Sequence, residues 1–378
     1  MKRLKLHTLI VACALAPCLA IAQSAPTRSS IQVRPDGSVQ VHEATVPLSP
    51  LMSEGAREVL RRTQPTEGPG APVPTPQDIP DIRKLRQVYN ENLRPRVDYM
   101  RKVFPVDIQE TTIDGIDAAI ITPKSGILPR NAHRLILNGP GGGFRTGVRG
   151  NGLLISIPVA ATMGIRVVSI LYRQGPEYQF PAASEDLLKV WNHYLKEYPA
   201  KNIGMVGCSA GGSLVSQTTA ILIQEGRPTP GALGVYCSGL GAVGSGDSAF
   251  YATLSVSNIS MAAARPVVTA TPVGSAPVSG ANAQNYYTGV DMHQFIVNPT
   301  LDEKRLAEFP PTLFFTATRD FAMSASAYSN WKLLETGVPS QLLVFEGLYH
   351  GFMTNPDFPE AKAGYQIAAR FFDRYLGQ

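Results

Sequence analysis

From residue 106 onward, short apolar runs alternate with amphipathic stretches at helical spacing. Val106 to Ile113 and Ile116 to Ile121 flank Asp114-Gly115, a dipeptide that favours the tight turn of a hairpin. Arg134 to Asn138, Ile165 to Leu171, Ile203 to Val206, Leu233 to Cys237, Thr312 to Thr316 and Gln341 to Phe345 are short and nearly uniformly apolar, the pattern of strands buried on both faces. Helical patterns separate most of them, at about 150–163, 182–197, 210–225 and 324–336, and a last one at about 358–375 closes the chain. An antiparallel pair followed by alternating units predicts an α/β fold, a mostly parallel central sheet with helices on both faces. No internal repeat is evident.

The pattern upstream is weaker. Ile31-Gln32-Val33 and Val39-Gln40-Val41 alternate around the turn signal Pro35-Asp36-Gly37, which predicts a small hairpin. Ser53 to Arg62 has helical spacing with Ser53 as its N-cap. Residues 64–76 carry five prolines and two glycines and read as a linker. Asp81 to Met100 is a helical pattern interrupted at Pro95, its many Arg and Lys residues read as a solvated face. Residues 23–80 are therefore expected to be an extension and linker, and 81–378 the main domain. The exception inside that domain is 240–300, rich in Ala, Ser, Gly, Thr and Val and without a sheet period. It leaves the sheet just after a strand end, where ligands sit in open α/β sheets, so 242–300 is expected to form a cap over a site. Tyr286 and Tyr287 either wall a pocket there or pack.

Composition changes this picture at the N-terminus. A chain of 378 residues, 44% hydrophobic and 17% charged, has ample material for one large core. Its first residues form a secretory signal peptide, residues 1–22. Met1-Lys2-Arg3-Leu4-Lys5 is basic, Leu9 to Leu19 is a short apolar core broken by Pro17, and Ala20-Ile21-Ala22 is a small-x-small cleavage site. The apolar run is too short and interrupted to span a membrane stably. Cleavage after Ala22 would deliver a periplasmic or secreted protein and leave 31 basic against 29 acidic residues. That near-neutral balance implies no nucleic-acid partner. Of the four cysteines, only Cys208 and Cys237 would remain, at the ends of neighbouring strands. Two buried thiols is the reading preferred over a disulfide.

The candidate chemistry begins at Gly207-Cys208-Ser209-Ala210-Gly211-Gly212, between a strand pattern and a helix pattern. Glycines two before and two after the serine permit a strained turn that exposes its hydroxyl at a helix N-terminus. A serine hydroxyl needs a base, an acid to orient that base, and donors for the oxyanion. His350, in Tyr349-His350-Gly351-Phe352, is the one histidine of six placed in a loop at the C-terminal edge of the sheet. Asp320 follows the Thr312 strand on that edge; Glu346 and Asp357 are competing acids, less well placed. Donors are available in Gly139-Pro140-Gly141-Gly142-Gly143-Phe144, where consecutive glycines let bare N–H groups approach a substrate oxygen. The loop lacks the Lys-Ser/Thr of a phosphate-binding loop, and no metal-ligand or cofactor motif appears.

Together these residues resemble the hormone-sensitive-lipase-like branch of α/β-hydrolases, which includes many bacterial carboxylesterases. The resemblance runs from about residue 80 to the C-terminus. It includes Gly141-Gly142-Gly143-Phe144, Tyr172-Arg173 with Pro176-Glu177, and Phe180-Pro181-Ala182-Ala183 with Glu185-Asp186. Gly207 to Gly212, Asp320 and His350-Gly351-Phe352 complete it. It implies an α/β-hydrolase fold with a helical cap (about 81–104 and 242–300) and a triad of Ser209, Asp320 and His350. It also implies oxyanion donors from the N–H groups of Gly142, Gly143 and Ala210; Phe144, with Tyr286 and Tyr287, is a candidate lining of the substrate pocket. The chain departs from the family pattern in having Pro140 where histidine usually opens the glycine loop, Cys208 for a frequent aspartate, and Ser213 where asparagine is common.

The function expected from this is an exported serine carboxylesterase that needs no cofactor and acts on a small-molecule ester, of short to medium chain, or a small aromatic or lactone ester. A homodimer is compatible with the sequence. The same triad would serve an acyltransferase or an amidase. A ligand-binding protein on the same scaffold is the reading from another class, and it predicts a missing triad residue.

Overall fold

The structure is a computed structural model that describes residues 31–35, 39–41, 47–63, 80–241, 246–251 and 286–377. The signal peptide, the proline-rich linker and most of the expected cap at 242–300 lie outside the described residues. The chain divides into two units, one ending at Pro47 and one beginning at Leu48. In the first, β1 (Ile31–Val33) and β2 (Val39–Val41) pair antiparallel, as the turn signal predicts.

In the second unit, α1 (Glu54–Thr63) and α2 (Ile82–Val103) precede β3 (Val106–Ile113) and β4 (Ile116–Pro123). Then follow β5 (Leu135–Gly139), α3 (Val148–Met163), β6 (Arg166–Ile170), α4 (Ala182–Tyr194), β7 (Ile203–Cys208), α5 (Ala210–Gln224) and β8 (Ala232–Tyr236). The C-terminal third holds α6 (Asp247–Tyr251), α7 (Glu303–Leu306), β9 (Thr312–Arg319), α8 (Met323–Glu335), β10 (Ser340–Tyr349) and α9 (Pro359–Tyr375). The eight-stranded sheet has the order β10-β9-β8-β7-β5-β6-β4-β3, antiparallel only at β3–β4 and β4–β6.

Alternation along the strands sends side chains to two cores. Ile136, Val206, Cys208 and Phe315 face a layer built from α1, α2, α3 and α9. Leu135, Leu137, Met205 and Phe314 face the α4 and α5 layer. α5 is buried along nearly its whole length. Two of its hydroxyls bond back to the preceding turn, Ser216 Oγ donating to Gly212 O (2.8 Å) and Thr219 Oγ1 to Val215 O (2.8 Å).

Two expectations are corrected here. α2 runs unbroken through Pro95. That proline is exposed, so water can solvate the carbonyl it leaves unpaired. The extension also does not end at residue 80. The Ser53 hydroxyl caps α1 by accepting from Ala56 N (3.0 Å), and Ser53 N donates to Glu360 Oε1 on α9 (2.9 Å). Met52, Ala56, Val59 and Leu60 are buried in the core, so α1 is part of the main unit.

Candidate active site

β7 delivers the chain to Ser209, whose backbone sits at φ 60° and ψ −126°. Such a conformation costs a non-glycine residue roughly 1–3 kcal/mol and persists only where its surroundings hold it. They do so through backbone contact. A Cβ on Gly207 would lie 2.1 Å from Gly211 O, and one on Gly211 would lie 1.8 Å from Gly139 O. Ser209 N donates to Tyr236 O (2.8 Å), tying the turn to β8. Gly212 N and Ser213 N both donate to Ser209 O (2.9 and 3.2 Å) as α5 begins. Ala210 N donates to no described residue.

The glycine loop lies directly against this elbow. Gly139 is paired with Gly207 in register, and a Cβ on Gly141 would lie 2.6 Å from Cys208 O and 3.5 Å from Ser209 Cβ. Gly142 (φ 122°), Gly143 (φ 63°) and Phe144 (φ 56°) are successive left-handed residues. Gly142 O accepts from Arg145 N (3.1 Å) and Thr146 N (3.0 Å), whereas the N–H groups of Gly142 and Gly143 have no partner among the described residues. Three backbone N–H groups, of Gly142, Gly143 and Ala210, thus have no partner among the described residues, in a loop and an elbow that pack against each other.

Several anchors fix the loop. Tyr172 Oη donates to Pro140 O (2.8 Å), so the residue that departs from the family pattern contributes a carbonyl to the scaffold. Gly175 N donates to Phe144 O (2.8 Å). Behind it, Arg173 pairs with the buried Asp186 (2.9 Å) and with Glu185 (2.7 Å), which explains why these residues occur together. From α2, Arg86 donates to Arg145 O and Gly175 O, each at 2.8 Å, and forms a two-pronged pair with Glu177 at 2.7 and 2.8 Å. The solvated-face reading of α2 therefore fails at Arg86. Nothing in a charged helical pattern distinguishes the one arginine that meets two carbonyls.

On the same sheet edge, β9 ends just before Asp320 and β10 just before His350. His350 Nδ1 lies 2.8 Å from Asp320 Oδ1, and the ring stacks on Phe321 with centroids 4.2 Å apart. Asp320 is fully buried. Its Oδ1 also accepts from Ala322 N (2.9 Å), and its Oδ2 from Thr316 Oγ1 (2.8 Å). Burial pushes the carboxyl up, but the charge and hydrogen bond of His350, with the Ala322 N–H, outweigh it and hold Asp320 below the ordinary aspartate value. Asp357 is engaged elsewhere, by Arg62 and Tyr99. Thus Asp320 and His350 are brought together by a hydrogen bond. Ser209 Oγ makes no hydrogen bond to His350 in this structure, a separation common before substrate binds.

Cys208 and Cys237 are free and buried, and their sulfurs lie 4.0 and 3.8 Å from Met353 Sδ. Cys237 forms a tight cluster with Asp320 and His350, with ligand-type atoms within 4.8 Å of one another. A cation there would have to break the Asp320–His350 bond. The aromatic residues expected at the pocket form a buried stack. Phe144 and Tyr286 are parallel at 4.5 Å, and Tyr287 meets Phe144 edge-on at 5.6 Å. Tyr286 Oη accepts from Ala183 N (2.9 Å) at the start of α4, and Tyr287 Oη bonds to the Gln217 side chain (2.8 Å). These hydroxyls satisfy buried polar groups, which draws both rings into the core. Among the described residues, no helix is long and apolar enough to cross a membrane.

Residues 140–354 match the family described as the alpha/beta hydrolase fold. The chain is similar to versiconal hemiacetal acetate esterase of Emericella nidulans, 39% identical over 61 residues. That match covers 16% of this chain and only 21% of the relative. A longer match, 26% over 268 residues, is to the versiconal hemiacetal acetate esterase of Dothistroma septosporum and covers 68% of this chain and 77% of that protein. Among solved structures, an esterase named E25 superposes with a TM-score of 0.72 at 25% identity, over 90% of this chain and 99% of that one. An esterase of the bacterial hormone-sensitive lipase family shares the fold at 20% identity and a TM-score of 0.63, over 86% and 99% of the two chains.

Proposed function

This chain belongs to the α/β-hydrolase family, and from that premise we propose that it is a serine carboxylesterase with Ser209 as nucleophile, His350 as general base and Asp320 as the acid that orients the base. In this reading His350 Nε2 takes the proton from Ser209 Oγ as the oxygen attacks the ester carbonyl. Asp320 holds Nδ1–H and stabilises the imidazolium. The N–H groups of Gly142, Gly143 and Ala210 receive the oxyanion, each such donor typically contributing about 10²–10³ in rate. The alcohol leaves with the proton held by His350, and water then hydrolyses the acyl-enzyme by the same route in reverse.

The observation that carries the reading is the 2.8 Å bond between His350 and a buried Asp320, on the sheet edge where the glycine loop packs against a strained serine with N–H groups that have no partner among the described residues. We extend it to short- to medium-chain or small aromatic and lactone esters; the acetate esters in the names of the two fungal relatives support the short-acyl end. Export with loss of residues 1–22 belongs to the same proposal and rests on the sequence of the N-terminus. The test is a fluorophosphonate probe on the wild type and on Ser209→Ala. Labelling that depends on Ser209 is expected; labelling that survives the substitution, or none in the wild type, would sink the enzyme reading.

A further inference from the structure

Resting on that reading of the site, we propose that Cys237 is a positioning residue: its thiol completes the hydrogen-bond shell of Asp320 and ties the His350–Gly351 turn to the end of β8. The catalytic mechanism makes no use of this side chain, yet it is fully buried beside the acid–base pair.

The argument starts from the needs of a buried carboxylate. Asp320 has about four acceptor sites and is closed off from the bulk solvent. Three are taken, by His350 Nδ1 and Ala322 N on Oδ1 and by Thr316 Oγ1 on Oδ2. One site on Oδ2 is left. Cys237 Sγ lies within 4.8 Å of both the carboxylate and the imidazole. The thiol lies 3.8 Å from the Met353 thioether, a weak acceptor, and rotation about Cβ–Sγ turns its single proton to the neighbouring carboxylate, the stronger one. Burial keeps the thiol protonated, pushing it well above its ordinary value, with Cys208 and the Asp320 charge adding to the effect.

The same sulfur also works as an acceptor. Gly351 N, the amide following His350, donates to Cys237 Sγ at 3.2 Å. Cys237 itself is locked: its backbone is left-handed at φ 46°, and its N–H donates to Phe315 O on β9 (2.8 Å). One atom therefore links the strand end next to the nucleophile, the carboxylate and the backbone of the base. A hydroxyl can play both parts; a methyl group can play neither.

The test uses the full chain with Cys237→Ala and Cys237→Ser. Two readouts are taken: the downfield proton resonance of His350 Nδ1–H, which requires no turnover, and kcat and KM on p-nitrophenyl acetate. In Cys237→Ala the resonance is expected to broaden through exchange with water and kcat to fall about ten-fold, the loss of one charge-assisted hydrogen bond, with KM unchanged. Cys237→Ser is expected to restore both. A wild-type resonance and kcat in Cys237→Ala overturn the proposal, and so does a serine variant as impaired as the alanine one. If Cys237→Ala fails to fold, the serine variant decides: a retained resonance sustains the proposal and a lost one overturns it. If the wild type hydrolyses no ester while its resonance responds to Cys237→Ala, the esterase reading fails and the positioning of the pair stands.

Discussion

Replacing Asp320 with asparagine removes one charge and leaves the shape of the side chain nearly intact, so its effects on stability and on catalysis can be separated. The carboxylate accepts from Thr316 Oγ1 at 2.8 Å, Ala322 N at 2.9 Å and His350 Nδ1 at 2.8 Å. An amide keeps one acceptor oxygen. If that oxygen faces His350 and Ala322, the NH₂ faces Thr316, whose hydroxyl can rotate to accept. If the amide is reversed, its NH₂ confronts His350 Nδ1 and forces the wrong tautomer. The first arrangement loses least, and the cost to folding is expected to be about 1–3 kcal/mol. Catalysis loses far more, about 10³–10⁴ in kcat, because the charge that stabilises the imidazolium is gone. The pH dependence has a definite sign. A carboxyl held below its ordinary value of 3.8 in the fold contributes stability that is present above that value and is lost as pH falls through the lowered one. The stability gap between wild type and Asp320→Asn is thus widest near neutrality and closes in acid. Urea unfolding across pH, with p-nitrophenyl acetate kinetics at neutral pH, measures both. A kcat within a few-fold of wild type would refute the assignment and move the acid role to Glu346 or Asp357.

Arg86→Ala strips two carbonyls of their donor and Glu177 of its partner; urea unfolding should show a loss of about 1–3 kcal/mol, with kcat reduced more than KM is raised, and Arg86→Lys should not recover the fork. Gly211→Ala sets a Cβ 1.8 Å from Gly139 O and is expected to abolish soluble protein or Ser209 labelling, whereas Gly226→Ala, in open space with φ +62°, should cost only about 1–2 kcal/mol of backbone strain. Across p-nitrophenyl esters of rising acyl length, kcat/KM should peak at short to medium chains; a steady rise to long chains would refute the substrate class. Intact-mass measurement of protein recovered from the periplasm or medium should give an N-terminus at Gln23.

Much of the fold was legible because its determinants are local. A strand buried on both faces must be apolar throughout, and the helices between are fixed by spacing, so β5, β7 and α5 lie close to where the pattern puts them. The glycines of the elbow were legible for a similar reason: no other residue tolerates backbone at such distances. What escaped was set by partners distant in sequence. Pro95 signals a break, and only its exposure shows that the unpaired carbonyl can be left to water. Tyr286 and Tyr287 read equally well as pocket or packing until Ala183 and Gln217 are seen to need their hydroxyls. Arg86 is one basic residue among several on α2, and its value lies in carbonyls 59 and 89 residues away.

The Arg86 contacts have a consequence for anyone recombining this chain with its relatives. α2 looks like a detachable segment, yet it carries a strut of the glycine loop. A chimaera that borrows residues 81–104 from another esterase inherits that protein's donor at position 86 but keeps this chain's Glu177, Gly175 and Arg145. Unless the exchange transfers the helix and its acidic counterpart together, the graft disturbs the loop beside Ser209 while appearing to change only a surface helix.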